Sequence, residues 1–328
     1  MNRGKVVGGV DIGGTKTAVV LSTSPPNILR RLAFPTEPAN GPGQTVQQII
    51  AGLRSALSEC GFDAGDLKSI GVSCGSPLDS TKGIIQAPPN LPTWVNVPIT
   101  TILEEEFRVP CFLENDANAG ALAEYWFGAG RGCRSMVFLT NGTGLGAGLI
   151  LDGRLYSGVT NAAGEIGHVR LSRSGPVGYH KAGSVEGWAS GGGMAQVAER
   201  EVRAALQRGE RTGLMDGSGS DLPAFTAQRV WELAQRGDAV AERIVGISAK
   251  RLGEAMAILV DVLNPGRIVL GGLALRMGEA LLGPARKVVQ REALGDSARA
   301  CSIVPAELHE QIGDVAALCV ALNAEGKR

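Results

Sequence analysis

The run Glu114-Asn115-Asp116-Ala117-Asn118-Ala119 gathers polar side chains where a strand-like segment gives way to a helical one. Open α/β sheets bind ligands at such carboxyl ends of strands. Asp116 can be read there as a helix N-cap, a role aspartate often fills, or as a general base accepting a hydroxyl proton. Phosphoryl transfer to an alcohol needs such a base, together with donors and positive charge around the phosphates. Asp11-Ile12-Gly13-Gly14-Thr15-Lys16 offers the rest: a carboxylate at a strand end, two glycines whose bare backbone admits an anion, a hydroxyl and an ammonium. Asp11 would then stand near Mg²⁺, through water. The run is not a P-loop, because Gly13 or Gly14 follows Gly8 or Gly9 at the right interval without the Lys-Ser/Thr that must come next. Taken alone it reads equally well as a plain hairpin turn.

Residues 142–147, Gly-Thr-Gly-Leu-Gly-Ala, match G-x-G-x-x-G/A, so a dinucleotide-dependent dehydrogenase has to be weighed. That fingerprint must open a helix, whereas Ala147-Gly148-Leu149-Ile150-Leu151 is strand-like, and the acid some twenty positions on, Glu165, belongs to another motif. Two Gly/Thr turns, with Thr143 and Gly144 in the second, instead suggest two phosphate-holding loops facing each other across a cleft. Gly164-Glu165-Ile166-Gly167-His168 adds a second polar cluster. Asn90, Asn115, Glu165, His168 and Glu186 are the side-chain types that fix polyhydroxylated substrates. No Ser/His/Asp or Cys/His nucleophile motif is present, and three histidines are too few for a histidine-rich metal site.

These residues need elements to hold them. Strands are expected at 6–11 and 17–21, at 67–73, 110–114, 135–140 and 147–151, and at 267–270 and 302–304. Helical patterns cover 45–60, a segment through Ile102-Leu103, 117–126, 227–236, 239–263 and 312–322, with a polar Gly-rich loop at 209–220. Strands and helices mixed throughout imply α/β layers. At 328 residues with 44% hydrophobic content, the chain suffices for two cores. Lys+Arg and Asp+Glu both number 32, which gives no electrostatic reason to expect nucleic acid or an anionic membrane as partner. Six scattered cysteines, no membrane-length apolar run and no cleavage pattern after Met1-Asn2-Arg3-Gly4-Lys5 point to a reducing, cytoplasmic setting.

The combination of residues 11–16, Pro89-Asn90-Leu91, Glu114-Asn115-Asp116, Thr143-Gly144-Leu145-Gly146 and Glu165-Ile166-Gly167-His168 resembles the ROK family of sugar kinases and repressors over essentially the whole chain. Asn264-Pro265 and Ile268-Val269-Leu270-Gly271-Gly272 resemble its adenosine-side strand and loop. The resemblance implies an actin-like, hexokinase-type (ribonuclease H-like) fold of two α/β domains, residues 1–118 with 309–328 and residues 119–308, whose cleft closes on sugar and ATP. It implies a glucokinase-like hexose kinase acting on the 6-hydroxyl, with an N-acetylglucosamine or N-acetylmannosamine kinase as the alternative. Asp116 would be the base; Asn90, Asn115, Asp116, Glu165, His168 and Glu186 would contact the sugar. Asp11, Gly13, Gly14, Thr15, Lys16, Thr143, Gly144, Gly271 and Gly272 would serve ATP and Mg²⁺, and the family suggests a homodimer. A sugar-responsive repressor would need a DNA-binding module before the first loop, where ten residues stand. Many ROK proteins follow the Gly-His pair with C-x-C-G-x-x-G-C-x-E, whose cysteines join the histidine on zinc. Aligned on Glu186, those positions here hold Val177, Tyr179 and Ser184, so no zinc is expected.

Overall fold

The computed structural model describes residues 5–215 and 222–325. Residues 1–4, and 216–220 of the loop expected at 209–220, lie outside the described residues. Valine-rich β1 (Val6–Ile12) and β2 (Lys16–Ser22) pair antiparallel around the first glycine turn, as β-branched side chains favour. β3 (Arg30–Pro35) pairs antiparallel with β2. Its sequence, Arg-Arg-Leu-Ala-Phe-Pro, has only a short apolar stretch without a β-branched residue, cut off by Pro35, and four of its six residues are exposed on this edge strand, so it went unread. After α1 (Pro42–Glu59), β4 (Leu67–Cys74) adds parallel to β1. A short hairpin of β5 (Leu78–Asp79) and β6 (Ile84–Ile85) and then α2 (Ile99–Phe107) precede β7 (Cys111–Asn115), which pairs parallel with β4 and runs directly into α3 (Asp116–Phe127).

The plan then repeats. β8 (Met136–Asn141) and β9 (Leu145–Leu151) form an antiparallel hairpin, extended by β10 (Arg154–Leu155). A small hairpin, β11 (Val177–Gly178) and β12 (Lys181–Ala182), leads into α4 (Val185–Ala189), α5 (Gly191–Gln207), α6 (Ala227–Ala234) and α7 (Ala239–Leu263). β13 (Arg267–Leu270) pairs parallel with β8. After α8 (Leu273–Met277), α9 (Glu279–Glu292) and α10 (Gly295–Ala300), β14 (Ser302–Pro305) joins β13 in parallel. The two five-stranded sheets, β3-β2-β1-β4-β7 and β10-β9-β8-β13-β14, share one order and one pattern of strand senses. α11 (Ile312–Glu325) ends the chain against β1 and β4.

The chain divides into two compact units. One runs up to Arg131 and includes Ser157–Asn161 and the chain from Leu308 onward; the other holds Gly132–Tyr156 and Ala162–Glu307. The division expected after residue 118 falls instead after 131, because α3 is one unbroken helix packed on α11. In the first unit, strand alternation sends side chains to opposite faces: Val19 and Leu21 join a core with Ile49 and Leu53 of α1, while Val20 meets Leu318 and Ala321 of α11. The second unit has its own core, from Val137 and Leu139 to Leu252 and Val289. Among the described residues no helix is long and apolar enough to cross a membrane.

Candidate active site

The expected site residues fall into one group per unit. In the first, the β1–β2 turn is closed by the Gly13 N–H donating to the Lys16 carbonyl (3.0 Å), with Thr15 and Lys16 exposed. Asn90 packs on this turn, so close that a Cβ on Gly14 would come within 2.7 Å of its own. Burial, reinforced by the like charges of Asp116 and Asp314, pushes the Asp11 carboxyl up to about 7, against the pull of Lys16 and a hydrogen bond from Ser73. The last helix reaches the same point, since Gly313 abuts Asp11 Oδ2 with no room for a side chain. Asp314, beside it, is buried and paired with Arg31 of β3 (Nε to Oδ2, 2.5 Å). Gly313, Asp314 and Arg31 escaped sequence reading because nothing local ties residues some 280 to 300 positions from their partners. An excess of carboxylate charge at this turn fits a hydrated divalent cation.

At the start of α3 the capping role belongs to Asn115. Its Oδ1 accepts from the Asn118 N–H (2.7 Å), and its Nδ2 donates to Ser76 Oγ (3.3 Å). Asp116 is therefore the first helical residue and not the cap, and it is exposed. Glu114 Oε1 braces the turn by accepting from the Asn115 N–H and from Asn118 Nδ2, both at 3.0 Å.

In the second unit the β8–β9 turn is closed by the Gly142 N–H donating to the Gly144 carbonyl (3.1 Å). It rests on the first turn of α5, where the N–H groups of Gly191 and Gly192 donate to the Gly142 and Thr143 carbonyls (2.8 and 3.0 Å). The glycine run thus joins two strands and is not the strand-to-helix fingerprint of a dinucleotide site. The turn after β13 approaches it: Gly271 N–H donates to the Leu139 carbonyl (2.9 Å), and Gly272, at φ +61°, meets the Asn141 carbonyl with no space for a Cβ. Asn141 itself is fully buried, and neither polar atom of its amide has a hydrogen-bond partner. Buried unpaired amides are uncommon and costly. The available signal was an amide ending an otherwise apolar strand.

Gly164-Glu165-Ile166-Gly167-His168 lies flat on β9. The Ala147 N–H donates to the Gly164 carbonyl (2.9 Å), and neither Gly164, against the Ala147 carbonyl, nor Gly167, against the Leu145 carbonyl, has room for a side chain. Two bare positions three apart let a 3-10 turn seat on the strand and turn Glu165 and His168 outward, both exposed. Partial loss of hydration raises the Glu165 carboxyl, with His168 lowering it and Glu186 raising it. Glu186, in the first turn of α4, has one oxygen engaged: Oε2 accepts from the Leu145 N–H (3.1 Å) at the end of the glycine turn.

The segment after His168 does not fit a zinc site. Val177 has no ligating side chain, and Ser184 Oγ caps α4 by accepting from the Gly187 N–H (3.1 Å). Tyr179 meets the His168 ring edge-on, at 6.0 Å between centroids. Hydrogen bonds hold the hairpin instead. Gln196 of α5 accepts from the Val177 N–H and donates to its carbonyl, both at 2.8 Å, and Lys181 Nζ donates to the His168 carbonyl (2.8 Å). Trp188 Nε1 donates to Ser172 Oγ (2.9 Å), and the guanidiniums of Arg200 and Arg251 lie over the Trp188 ring.

Comparisons with known proteins agree with this geometry. The sequence profile of the ROK family matches residues 7–324. A glucokinase from Halalkalibacterium halodurans is 34% identical over 288 residues, 87% of this chain and 86% of its own. A ROK family glucokinase from Streptomyces griseus, solved in complex with glucose and AMPPNP, is 30% identical with a TM-score of 0.77, over 97% of this chain and 99% of its own. A xylose repressor from Caldicellulosiruptor bescii is 31% identical over 227 residues, 68% of this chain and 55% of its own. The duplicated sheets are those of the actin-like, hexokinase-type α/β fold, and the chain belongs to the ROK family.

Proposed function

We propose that this chain transfers the γ-phosphoryl group of ATP to a hexose hydroxyl, with glucose as first choice, the 6-hydroxyl as acceptor and Asp116 as general base. The observation that carries this reading is the start of α3. Asn115 is the helix cap, so Asp116 is the first helical residue, an exposed carboxylate in the same unit as the Asp11–Lys16 turn and close enough to raise the Asp11 carboxyl. Phosphoryl transfer asks for little covalent chemistry from a protein and much positioning. In the first unit, Gly13, Gly14, Thr15 and Lys16 would cradle phosphate, with Asn90 and Asn115 toward the sugar. Since Asn115 Oδ1 is engaged in capping and one amide N–H donates to Ser76 Oγ, the second N–H is the part left to meet a hydroxyl. In the second unit, Glu165, His168 and Glu186 would hold sugar hydroxyls, and Thr143, Gly144, Gly271 and Gly272 would meet the nucleotide. Mg²⁺, held by Asp11 through water, would offset the phosphate charge.

No structural zinc belongs to this reading, because the donors after His168 are of the wrong kind; one zinc per chain by elemental analysis would overturn that part. A cytoplasmic homodimer fits it. A coupled ADP-release assay over hexoses and N-acetylhexosamines is the decisive test. Turnover highest with glucose supports the proposal, turnover confined to N-acetylglucosamine or N-acetylmannosamine corrects the substrate, and sugar binding without any ADP release would favour a sugar-responsive regulator.

A further inference from the structure

Glu124 lies on α3 about 12 Å along the helix from Asp116, and it is fully buried. A carboxylate taken out of water is costly unless hydrogen bonds replace its hydration. Each Glu124 oxygen receives one: Oε2 accepts from the Ala129 N–H (2.7 Å) and Oε1 from the Leu308 N–H (2.9 Å). Both amides stand where the chain changes units. Ala129 is in the segment that leaves the first unit after Arg131, and Leu308 is the first residue of the chain's final return to it. The Glu124 carbonyl grips the outgoing segment too, accepting from the N–H groups of Gly128 (3.1 Å) and Gly130 (2.8 Å). Gly128 abuts Oε2 so closely that a Cβ would not fit. At the other excursion, Ser157–Asn161, a bond to the first unit is an exposed one, from Asn161 Nδ2 to Thr81 Oγ1 (3.0 Å).

We propose that Glu124 is a positioning residue for the reaction. It ties the outgoing and returning chain to the helix that begins with Asp116, and so holds that helix, and Asp116 with it, in place within the first unit. The kinetic half of this inference rests on the phosphoryl-transfer reading; the structural half does not.

Two variants test it. Glu124→Gln turns an amide NH₂ toward one of the two N–H donors and loses that bond; Gly128→Ala crowds the carboxylate without removing it. Hydrogen exchange at the Ala129 and Leu308 amides is expected to quicken by about tenfold or more for one lost charged hydrogen bond. The kcat of hexose phosphorylation should fall by a similar factor while glucose Kd, followed by tryptophan fluorescence, stays within about threefold, since a positioning residue touches no substrate. A folded variant with wild-type exchange at both amides, or with fast exchange and unchanged kcat, overturns the proposal. If Glu124→Gln does not fold, Gly128→Ala is judged by the same two readouts. A wild-type chain that turns over no sugar would count against the kinase reading, and exchange at the two amides would then decide the tie at Glu124 alone.

Discussion

The two glycine hairpins occupy the same place in two sheets of the same topology, yet their surroundings are opposite in kind. Before the first turn stand Asp11 and Ile12, an acid crowded by other acids and a buried apolar residue; before the second stand Thr140 and Asn141, which bring no charge but bury an unpaired amide. The first turn is closed by its own backbone and held by the Thr36 N–H donating to the Thr15 carbonyl and by Asn90 packed on Gly14, whereas the second is braced by the start of α5 and by Glu186. A repeated backbone thus serves two electrostatic environments: one crowded with carboxylates, the other holding the engaged Glu186 carboxylate beside a buried amide. Topology sets where each turn stands, and one or two side chains per turn set what it can bind.

The largest expected break in that comparison comes from the acidic side. Asp116→Asn should lower kcat at least about a hundredfold, as loss of a general base does, with glucose affinity far less affected; steady-state kinetics beside a binding titration reads both, and near-normal turnover would remove Asp116 from the role. Glu186→Gln tests the second turn. It should cost about tenfold in kcat/KM for the sugar and also raise KM for ATP, because a charged hydrogen bond to the Leu145 amide is weakened. If only the sugar term moves, Glu186 does not support the glycine turn.

Smaller effects concern stability. The folded Asp11 carboxyl, raised to about 7 from 3.8, binds its proton more readily than in the unfolded chain. Stability is therefore lost as pH rises from 3.8 through 7, by at most about 4 kcal/mol on the linkage relation. Asp11→Asn should raise the Tm of the ligand-free protein at pH 8, and the gain should vanish near pH 4; calorimetry at both pH values checks the sign. Asn141→Leu, which gives the second hairpin the apolar character of Ile12, should stabilise by about 1 kcal/mol, or roughly 2–4 °C, by deleting an unpaired buried amide. A lower Tm would mean that the amide has a partner after all.

Much of this was legible in the sequence. Both hairpins, the strand-to-helix step at Asp116 and helices α1, α3, α7 and α11 stand where periodicity and glycine punctuation put them, because those signals are local. Helices α5 and α9 went unread, since α5 opens on three glycines and α9 carries Pro284, residues that oppose a helix locally. Three further features were not legible, each for a different reason. Capping by Asn115 rather than Asp116 turns on one residue of helix phase. The edge strand β3 offers only a short apolar stretch with no β-branched residue, ended by Pro35. The Asp11–Gly313 approach, the Arg31–Asp314 pair and the Glu124–Leu308 bond join residues nearly two hundred or more positions apart, and only the fold brings them together.

The hairpin after His168 carries a last consequence. A metal-clamped loop fails all at once when its ion departs or its thiolates oxidise. The β11–β12 hairpin is fastened by separate amide and ammonium contacts through Gln196 and Lys181, and residues 177–186 contain no cysteine. On the zinc-free reading such a fastening loosens one contact at a time, so the loop should answer gradually to temperature and be unmoved by chelators.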